Sequence, residues 1–330
     1  MTKRRNAGFA SRRRGGALLA SGAVLGGLAL LNGALARRAE RRNPPSGRFI
    51  EVDGVRLHYI DRGTGSAVVL LHGNAVSGDD FATSSLLERV AREHRVIVFD
   101  RPGFGQSERP RGRVWAAQAQ AELIHKALVQ LGVRQAVVVG HSWGAIVALS
   151  LALNHPDDAA GLVLLAGYYF ATLRPDVLLV SLGAVPIVGD VLRFTVLPLL
   201  GALLMPLFKR QIFAPGKPTR RFKSEYSEAM TLRPSEIRAI SQDTAAMLPS
   251  VTALRRHYDD IAVPTAILAA GGDKVVGRRQ AERLHKAIPG SSLQFIDGVG
   301  HMLHHIAPLR VLEAIRAVAR PNLEMPLAAD

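Results

Sequence analysis

The chain of 330 residues contains no cysteine, and aromatic side chains make up only 5% of it. Without cysteine it can form no disulfide bond, bind no zinc through thiolates and use no cysteine nucleophile. Sparse aromatics leave little surface on which bases could stack, and no nucleic-acid-binding motif is present. We therefore expect neither a disulfide-stabilised module nor a nucleic-acid-binding protein.

Acidic residues are nearly missing from residues 1–42, where Glu40 stands against ten lysines and arginines. This segment carries +9 of the formal net charge of +15. Its middle part, residues 15–36, has no charged side chain and is long enough to cross a bilayer, which takes about 20 apolar residues. We favour an uncleaved membrane anchor. The alternative is a signal peptide cleaved after the small-x-small sequence Ala34–Ala36, although arginines directly after such a site impede export.

The basic residues around this apolar segment predict its orientation. Six precede it and four follow it, so the positive-inside rule places the rest of the chain on the non-cytoplasmic side. Cleavage would instead release a secreted or periplasmic protein. We divide the chain into the basic and hydrophobic segment 1–42, a linker at 43–48 rich in Pro and Gly, a main domain at 49–320 and a tail at 321–330.

The main domain alternates strand-like and helix-like patterns. An Asp53–Gly54 turn signal joins the first two strand-like segments. The later strand-like runs are short and almost wholly apolar, with helical stretches such as 116–131 between them, which predicts parallel strands covered by helices on both faces. The eight segments are 49–52, 55–61, 67–71, 96–100, 136–140, 161–166, 265–270 and 293–296.

One interval, at about 168–260, lacks this alternation. We interpret it as a helical cap inserted before the penultimate strand. Residues 176–213 are strongly apolar, with prolines at 186, 198 and 206. The cap is either an ordinary lid packed on the core, or a surface that receives lipid-like substrate or contacts a bilayer.

The sequence Gly140–Gly144 (GHSWG) follows an apolar strand and opens an Ala-rich helical stretch. In that context G-x-S-x-G predicts a nucleophile elbow with Ser142 at its apex. The sharp turn strains the serine backbone, and it tolerates only small residues two positions before and after it. Ser142 is thus the candidate nucleophile.

A serine hydroxyl needs a base within hydrogen-bond reach. His301 follows the last strand in a Gly-x-Gly-His loop, where its imidazole can lie over the elbow. His304 and His305 are expected to be surface or helix-start residues. We therefore assign the general base to His301.

The imidazole in turn needs a carboxylate to fix its tautomer and stabilise its positive charge. Asp273 comes just after the run 265–270, at the carboxyl edge where binding chemistry gathers in open α/β sheets. No strand delivers Asp243, Asp259 or Asp260 to that edge, so Asp273 is the better candidate.

Two N–H donors are needed for the oxyanion. One is the backbone of Trp143, directly after the nucleophile. The other is assigned to Asn74 in the loop after 67–71, with Gly73 as the nearest competitor. The Trp143 side chain either packs in the core or contacts substrate.

These features together resemble the α/β-hydrolase superfamily, over roughly residues 49–319. The resemblance rests on the elbow, the order Ser142, Asp273, His301, and the segments His72–Gly73, 100–107 (DRPGFGQS) and 298–301 (GVGH). It implies a mostly parallel eight-stranded sheet flanked by helices. It also implies hydrolysis of an ester, lactone, amide or carbon–carbon bond, and no metal or organic cofactor. Relatives acting on epoxides or halides carry Asp at the elbow, so Ser142 argues against both reactions.

Three hypotheses on function follow. The leading one is a membrane-anchored carboxylic-ester hydrolase acting on a fairly apolar small acyl substrate. The second is a haloperoxidase-like perhydrolase or carbon–carbon hydrolase using the same triad. The third is a non-catalytic binding protein, which the complete triad opposes. The sequence leaves the oligomeric state open.

Overall fold

The computed structural model describes residues 3–172 and 174–319, with side chains from residue 20 onward. Eight strands form among these residues, each bounded within two residues of a segment expected from the sequence. The predicted tail at 321–330 lies outside the described residues. The strands are β1 (Arg48–Val52), β2 (Val55–Arg62), β3 (Ala67–Leu71), β4 (Arg95–Phe99), β5 (Ala136–His141), β6 (Ala159–Leu165), β7 (Thr265–Ala270) and β8 (Ser292–Ile296).

The strands form one sheet in the order β1-β2-β4-β3-β5-β6-β7-β8. The β1–β2 and β2–β4 pairs are antiparallel, and every pair from β4 to β8 is parallel. Strands β3, β5 and β7 are buried along their whole length, as expected for strands covered on both faces. The predicted fold, a mostly parallel eight-stranded sheet flanked by helices, is confirmed.

Helices cover both faces of the sheet and enclose two apolar clusters. One cluster packs under the helices at 117–130, 143–154 and 279–287, and the other under those at 86–90 and 308–319. Because parallel strands bring their carboxyl ends to one edge, the loops after β3, β5, β7 and β8 meet there. The helices outside the cap are α2 (Asp79–Ala82), α3 (Leu86–Val90), α4 (Ala117–Gln130), α5 (Trp143–Asn154), α12 (Arg279–Ala287), α13 (Leu303–Ile306) and α14 (Pro308–Ala319), besides the N-terminal α1 (Lys3–Arg42).

The cap is a helical insertion between β6 and β7, which is the position expected from the sequence. Its described residues roof the carboxyl edge of the sheet, and its last helix packs against α5 and α4. The helices are α6 (Pro175–Ser181), α7 (Val188–Phe194), α8 (Leu197–Phe213), α9 (Arg220–Glu225), α10 (Glu228–Thr231) and α11 (Pro234–Leu254).

Helix α1 extends well beyond the predicted apolar segment, and its C-terminal part packs on the cap. Asn32 Nδ2 donates to the backbone oxygens of Phe194 (2.9 Å) and Thr195 (2.7 Å). Near the helix end, Arg233 Nη1 donates to Glu40 Oε1 at 3.1 Å. By length and composition, α1 from residue 20 to 42 can cross a membrane, and residues 175–184 with 188–194 pass the same test only as a pair bent by 91°.

Candidate active site

Ser142 lies in the tight turn between β5 and α5, with φ 52° and ψ −114°. Such a conformation is strained for a residue with a Cβ and persists only where its surroundings enforce it. A Cβ on Gly144 would lie 2.1 Å from the Leu71 carbonyl oxygen, and one on Gly140 would lie 2.5 Å from Ala145 Cα. Both glycines are therefore required by close backbone approach, as the elbow predicts.

Asp273 follows β7 at the same edge of the sheet. Its Oδ1 accepts hydrogen bonds from the backbone N–H groups of Val275 (2.7 Å) and Val276 (2.9 Å). Its Oδ2 lies 2.8 Å from His301 Nδ1. Burial alone would raise the pKa of this carboxyl, but His301 and the two N–H groups outweigh burial and hold the pKa below its usual value. Asp273 is thus an ionised partner fixed on both of its oxygens.

His301 stands in the loop between β8 and α13, and it is buried. It lines the same cavity as Ser142. His141 Nε2 donates to the His301 backbone oxygen at 3.0 Å, which connects the loop of His301 to the residue directly before Ser142. No hydrogen bond joins Ser142 Oγ to His301 within the described residues; in free enzymes this contact is often long and tightens with substrate.

The loop after β3 lies against Ser142, since a Cβ on Gly73 would be 3.1 Å from Ser142 Cβ. The side chain of Asn74 turns toward the cap, where Nδ2 donates to Thr244 Oγ1 at 2.9 Å. The backbone N–H of Trp143 opens α5, where the first N–H groups have no partner in the helix. The Trp143 side chain is buried in the core cluster and does not line the cavity.

The cavity that holds these groups has a volume of about 210 Å³. Its lining is mostly apolar and comes largely from the cap. An exposed ion pair, Arg174–Asp176, stands at its wall. The apolar lining residues are Ala75, Val76, Tyr168, Val177, Val180, Phe208, Ile212, Ile240, Met247, Val275, Val276 and Met302.

A buried ion pair behind the site was not identified from the sequence. Arg101, in the loop after β4, is fully buried and donates to Asp243 Oδ2 in α11 at 2.6 Å. It also donates to the backbone oxygens of His72 (2.9 Å) and Gly73 (2.8 Å). Burial and the charge of Arg101 lower the pKa of His72 to about 3, so this imidazole stays neutral. Arg101 therefore clamps the loop that carries Asn74.

His304 and His305 lie in the single turn of α13, which is one of the two positions expected from the sequence. The other expected position, the surface, does not apply because both are buried. Their Nε2 atoms lie 2.9 and 2.7 Å from the two carboxylate oxygens of Asp80, which is also fully buried. The pKa of Asp80, which burial would raise, is held well below its usual value by the two histidines. The contacts of His304 and His305 with Asp80 thus hold the segment that follows His301 in place.

Comparison with known proteins identifies the family. A family model for the alpha/beta hydrolase fold matches residues 66–308. A protein of Mycobacterium tuberculosis without assigned function is 28% identical over 285 residues, which are 82% of this chain and 80% of that one.

Two solved structures show the same fold. One is a thermophilic esterase from Thermogutta terrifontis, 24% identical, with TM-score 0.66, covering 82% of this chain and 97% of that one. The other is a membrane phospholipase A described as a bacterial virulence factor, 19% identical, with TM-score 0.63 and coverage of 96% and 99%. The chain therefore belongs to the alpha/beta hydrolase family, and its relatives indicate that it is a hydrolase.

Proposed function

We propose that the protein is a serine hydrolase that cleaves a carboxylic ester through an acyl-enzyme. The observation that carries this proposal is the 2.8 Å contact between Asp273 and His301, beside the cavity that His301 shares with the strained Ser142. A carboxylate partner alone does not mark a catalytic histidine, because His304 and His305 also pair with buried Asp80. His301 differs from them in sharing a cavity with a serine elbow. The intact triad also favours an enzyme over a binding protein on the same fold.

In this mechanism His301 Nε2 removes the Ser142 proton as Oγ attacks the ester carbonyl. The backbone N–H groups of Trp143 and Asn74 stabilise the oxyanion. His301 then protonates the leaving alcohol, and it later activates the water that hydrolyses the acyl-enzyme. Asp273 keeps the proton on Nδ1 throughout and stabilises the imidazolium.

The lining of the cavity supports an apolar acyl group as substrate. Cap residues such as Val177, Phe208 and Ile212 surround the space next to Ser142. An acyl chain would bury its CH₂ groups there at a gain of about 0.8 kcal/mol each. A thermophilic esterase and a membrane phospholipase A, both of the same fold, belong to this class of enzyme. Perhydrolase and carbon–carbon hydrolase activity use the same triad and stay as alternatives.

We also propose that residues 1–42 anchor the protein in a membrane, with 43–48 as connection and 49–320 as hydrolase domain on the non-cytoplasmic side. The charge distribution supports this orientation, with six basic residues before the apolar segment and four after it. The packing of α1 on the cap supports retention, because cleavage after Ala36 would remove Asn32 from its two acceptors. The membrane phospholipase A aligns over 96% of the chain, so its match includes much of this helix.

A fluorophosphonate probe tests the catalytic proposal on the full-length protein in mild detergent. We expect one phosphonate per chain, attached to Ser142, with buried Ser150 in the following helix as the internal control. Turnover of p-nitrophenyl esters should then increase with acyl length. Failure of folded protein to label would favour a binding protein. Labelling without ester turnover would favour the alternative reactions, and equal rates at all lengths would contradict the apolar substrate.

Replacing the Asn74 side chain tests whether its backbone is the oxyanion donor. We expect Asn74→Ala to lower kcat/KM by less than about tenfold, because the N–H remains, whereas loss of a true donor costs about a hundredfold or more. Thr244→Val removes the same side-chain bond from the cap and should have a similar effect. A hundredfold loss in Asn74→Ala alone would assign the donor to the side chain.

A further inference from the structure

The exposed apolar side chains of this protein are concentrated in two neighbouring segments. Of the 25 exposed large hydrophobic residues in the described chain, 15 lie between Leu178 and Leu207 in the cap and five lie in α1. Several are largely open to solvent, with Leu203 77%, Ile187 78% and Leu179 71% exposed. We call the 15 residues of α6–α8 and their connections the cap face. A soluble surface rarely exposes so many apolar side chains together.

The position of Asn32 in α1 indicates how deep the cap face would lie in a membrane that α1 crosses. Asn32 lies five residues before Arg37, the first charged residue after the apolar segment. At about 1.5 Å per residue, it sits about 7 Å further along the helix toward the bilayer interior. Because Asn32 donates to the backbone of Phe194 and Thr195, the junction of α7 and α8 must lie at the same depth.

The chemistry of this contact suits an apolar environment. An amide side chain in a membrane segment is costly unless it is paired, and backbone oxygens at that depth need donors inside the protein. Asn32 Nδ2 meets the need of the backbone, since it donates to two backbone oxygens, while its own Oδ1 is buried without a hydrogen-bond partner in the described part of the chain. From residue 177 to 208 the only charged residues are Asp190 and Arg193, and they pair with each other.

The same helices form the roof of the catalytic cavity. Val177 of α6 and Phe208 of α8 line it, while Leu179 and Leu207 beside them point outward. Val180 of the cap face lies at the rim, since it is 40% exposed and also contacts the cavity. The cap face is thus the outer side of a thin wall, one helix thick. Its apolar stretch ends at Lys209, which pairs with Glu228, and at exposed Arg210, a basic residue suited to a lipid phosphate at the membrane surface.

We propose that the cap face is inserted into the leaflet that surrounds the C-terminal end of the α1 apolar segment, and that acyl substrate enters the cavity from that leaflet. This inference rests on the proposed membrane anchor and deepens the proposed ester hydrolase. The bilayer is favoured over a second copy of the chain because the cap face is continuous with α1, whose exposed residues themselves require lipid.

The absence of cysteine provides a direct test, since any introduced cysteine is the only thiol. Single variants Leu203→Cys (cap face), Leu30→Cys (α1) and Val129→Cys carry an environment-sensitive fluorophore in phosphatidylcholine–phosphatidylglycerol vesicles. Val129 is a matched control, exposed at the C-terminal end of α4, on the sheet edge away from the site. We expect lipids with a nitroxide on the acyl chain to quench positions 203 and 30 strongly and position 129 hardly at all.

The quenching pattern distinguishes an inserted cap face from a membrane anchor alone. Quenching at 30 without quenching at 203 would overturn the inserted cap face and leave the anchor standing. No quenching at 30 would remove the anchor, and the inference with it. Protection of 203 from both lipid nitroxide and aqueous iodide would show that a second copy covers the face, which also overturns it. Fluorophosphonate labelling of each variant reports separately on the catalytic proposal.

A second experiment tests entry from the leaflet. The double variant Leu203→Glu with Leu207→Glu places two charges on the cap face, where insertion would be opposed. Hydrolysis of a long-chain ester dispersed in vesicles should fall at least about tenfold, while a soluble short-chain ester is turned over within about twofold of wild type. Val129→Glu should change neither rate. If the double variant hydrolysed both esters more slowly by the same factor, or hydrolysed both at the wild-type rate, entry of substrate from the leaflet would be overturned.

Discussion

The Asp273→Asn substitution is expected to lower kcat for ester hydrolysis by about 10⁴-fold while the fold is retained. The reason lies in how the two carboxylate oxygens are used. Oδ1 accepts from the backbone of Val275 and Val276, and an asparagine oxygen would keep those bonds. Its amide NH₂ would then face His301 Nδ1 in place of Oδ2. This arrangement selects the imidazole tautomer with the proton on Nε2, which cannot accept the proton of Ser142.

The loss of kcat is measured by the hydrolysis of p-nitrophenyl esters. Circular dichroism of the variant checks that the fold is retained. Asp259→Asn is the matched control, since Asp259 is an exposed carboxylate on the same part of the chain, and it should retain activity within about twofold. A loss below about tenfold in Asp273→Asn would show that another group orients His301.

Much of the fold was predictable because its strands are short and buried on both faces. Runs such as 67–71 and 265–270 are apolar along their whole length and end at glycine or turn residues, so their bounds match the structure to the residue. The site followed from the same regularity. Once the strands are parallel, the residues that come after them meet at one edge, and this places Ser142, Asp273 and His301 within one region.

The rest could not be predicted because it depends on pairings between distant segments. His304 and His305 carry no local signal of burial, and their partner Asp80 lies more than 220 residues earlier. The α1 helix was predicted as an apolar segment, but nothing in its sequence shows that Asn32 binds the cap backbone. The sequence presents Asp243 only as a rival for Asp273, since no sequence pattern connects a carboxylate in α11 with an arginine after β4.

The Asp243→Asn substitution is expected to destabilise the protein by about 3–5 kcal/mol, because it leaves buried positive charge without a counter-ion. Asp243 accepts from Arg101 Nη1 at 2.6 Å and Arg109 Nη1 at 2.9 Å, and all three side chains are almost completely buried. Burial lowers the pKa of Arg101, yet a guanidinium remains charged in proteins. Asparagine keeps the volume of the side chain, so the loss reports on charge and hydrogen bonding.

Denaturation by urea, followed by circular dichroism on the full-length protein in mild detergent, gives the change in free energy of unfolding. Asp53→Asn is the control: its contact with Lys126, at 2.8 Å, is of similar length, but both side chains are more than 40% exposed, so we expect a much smaller change in the free energy of unfolding. Equal changes in the free energy of unfolding for the two substitutions would show that burial does not determine how much an ion pair contributes to stability.

Because Arg101 also holds the backbone oxygens of His72 and Gly73, Asp243→Asn should also slow fluorophosphonate labelling at temperatures at which the variant is still folded. A variant that is destabilised but labels at the wild-type rate would show that the clamp supports the cap and not the oxyanion loop.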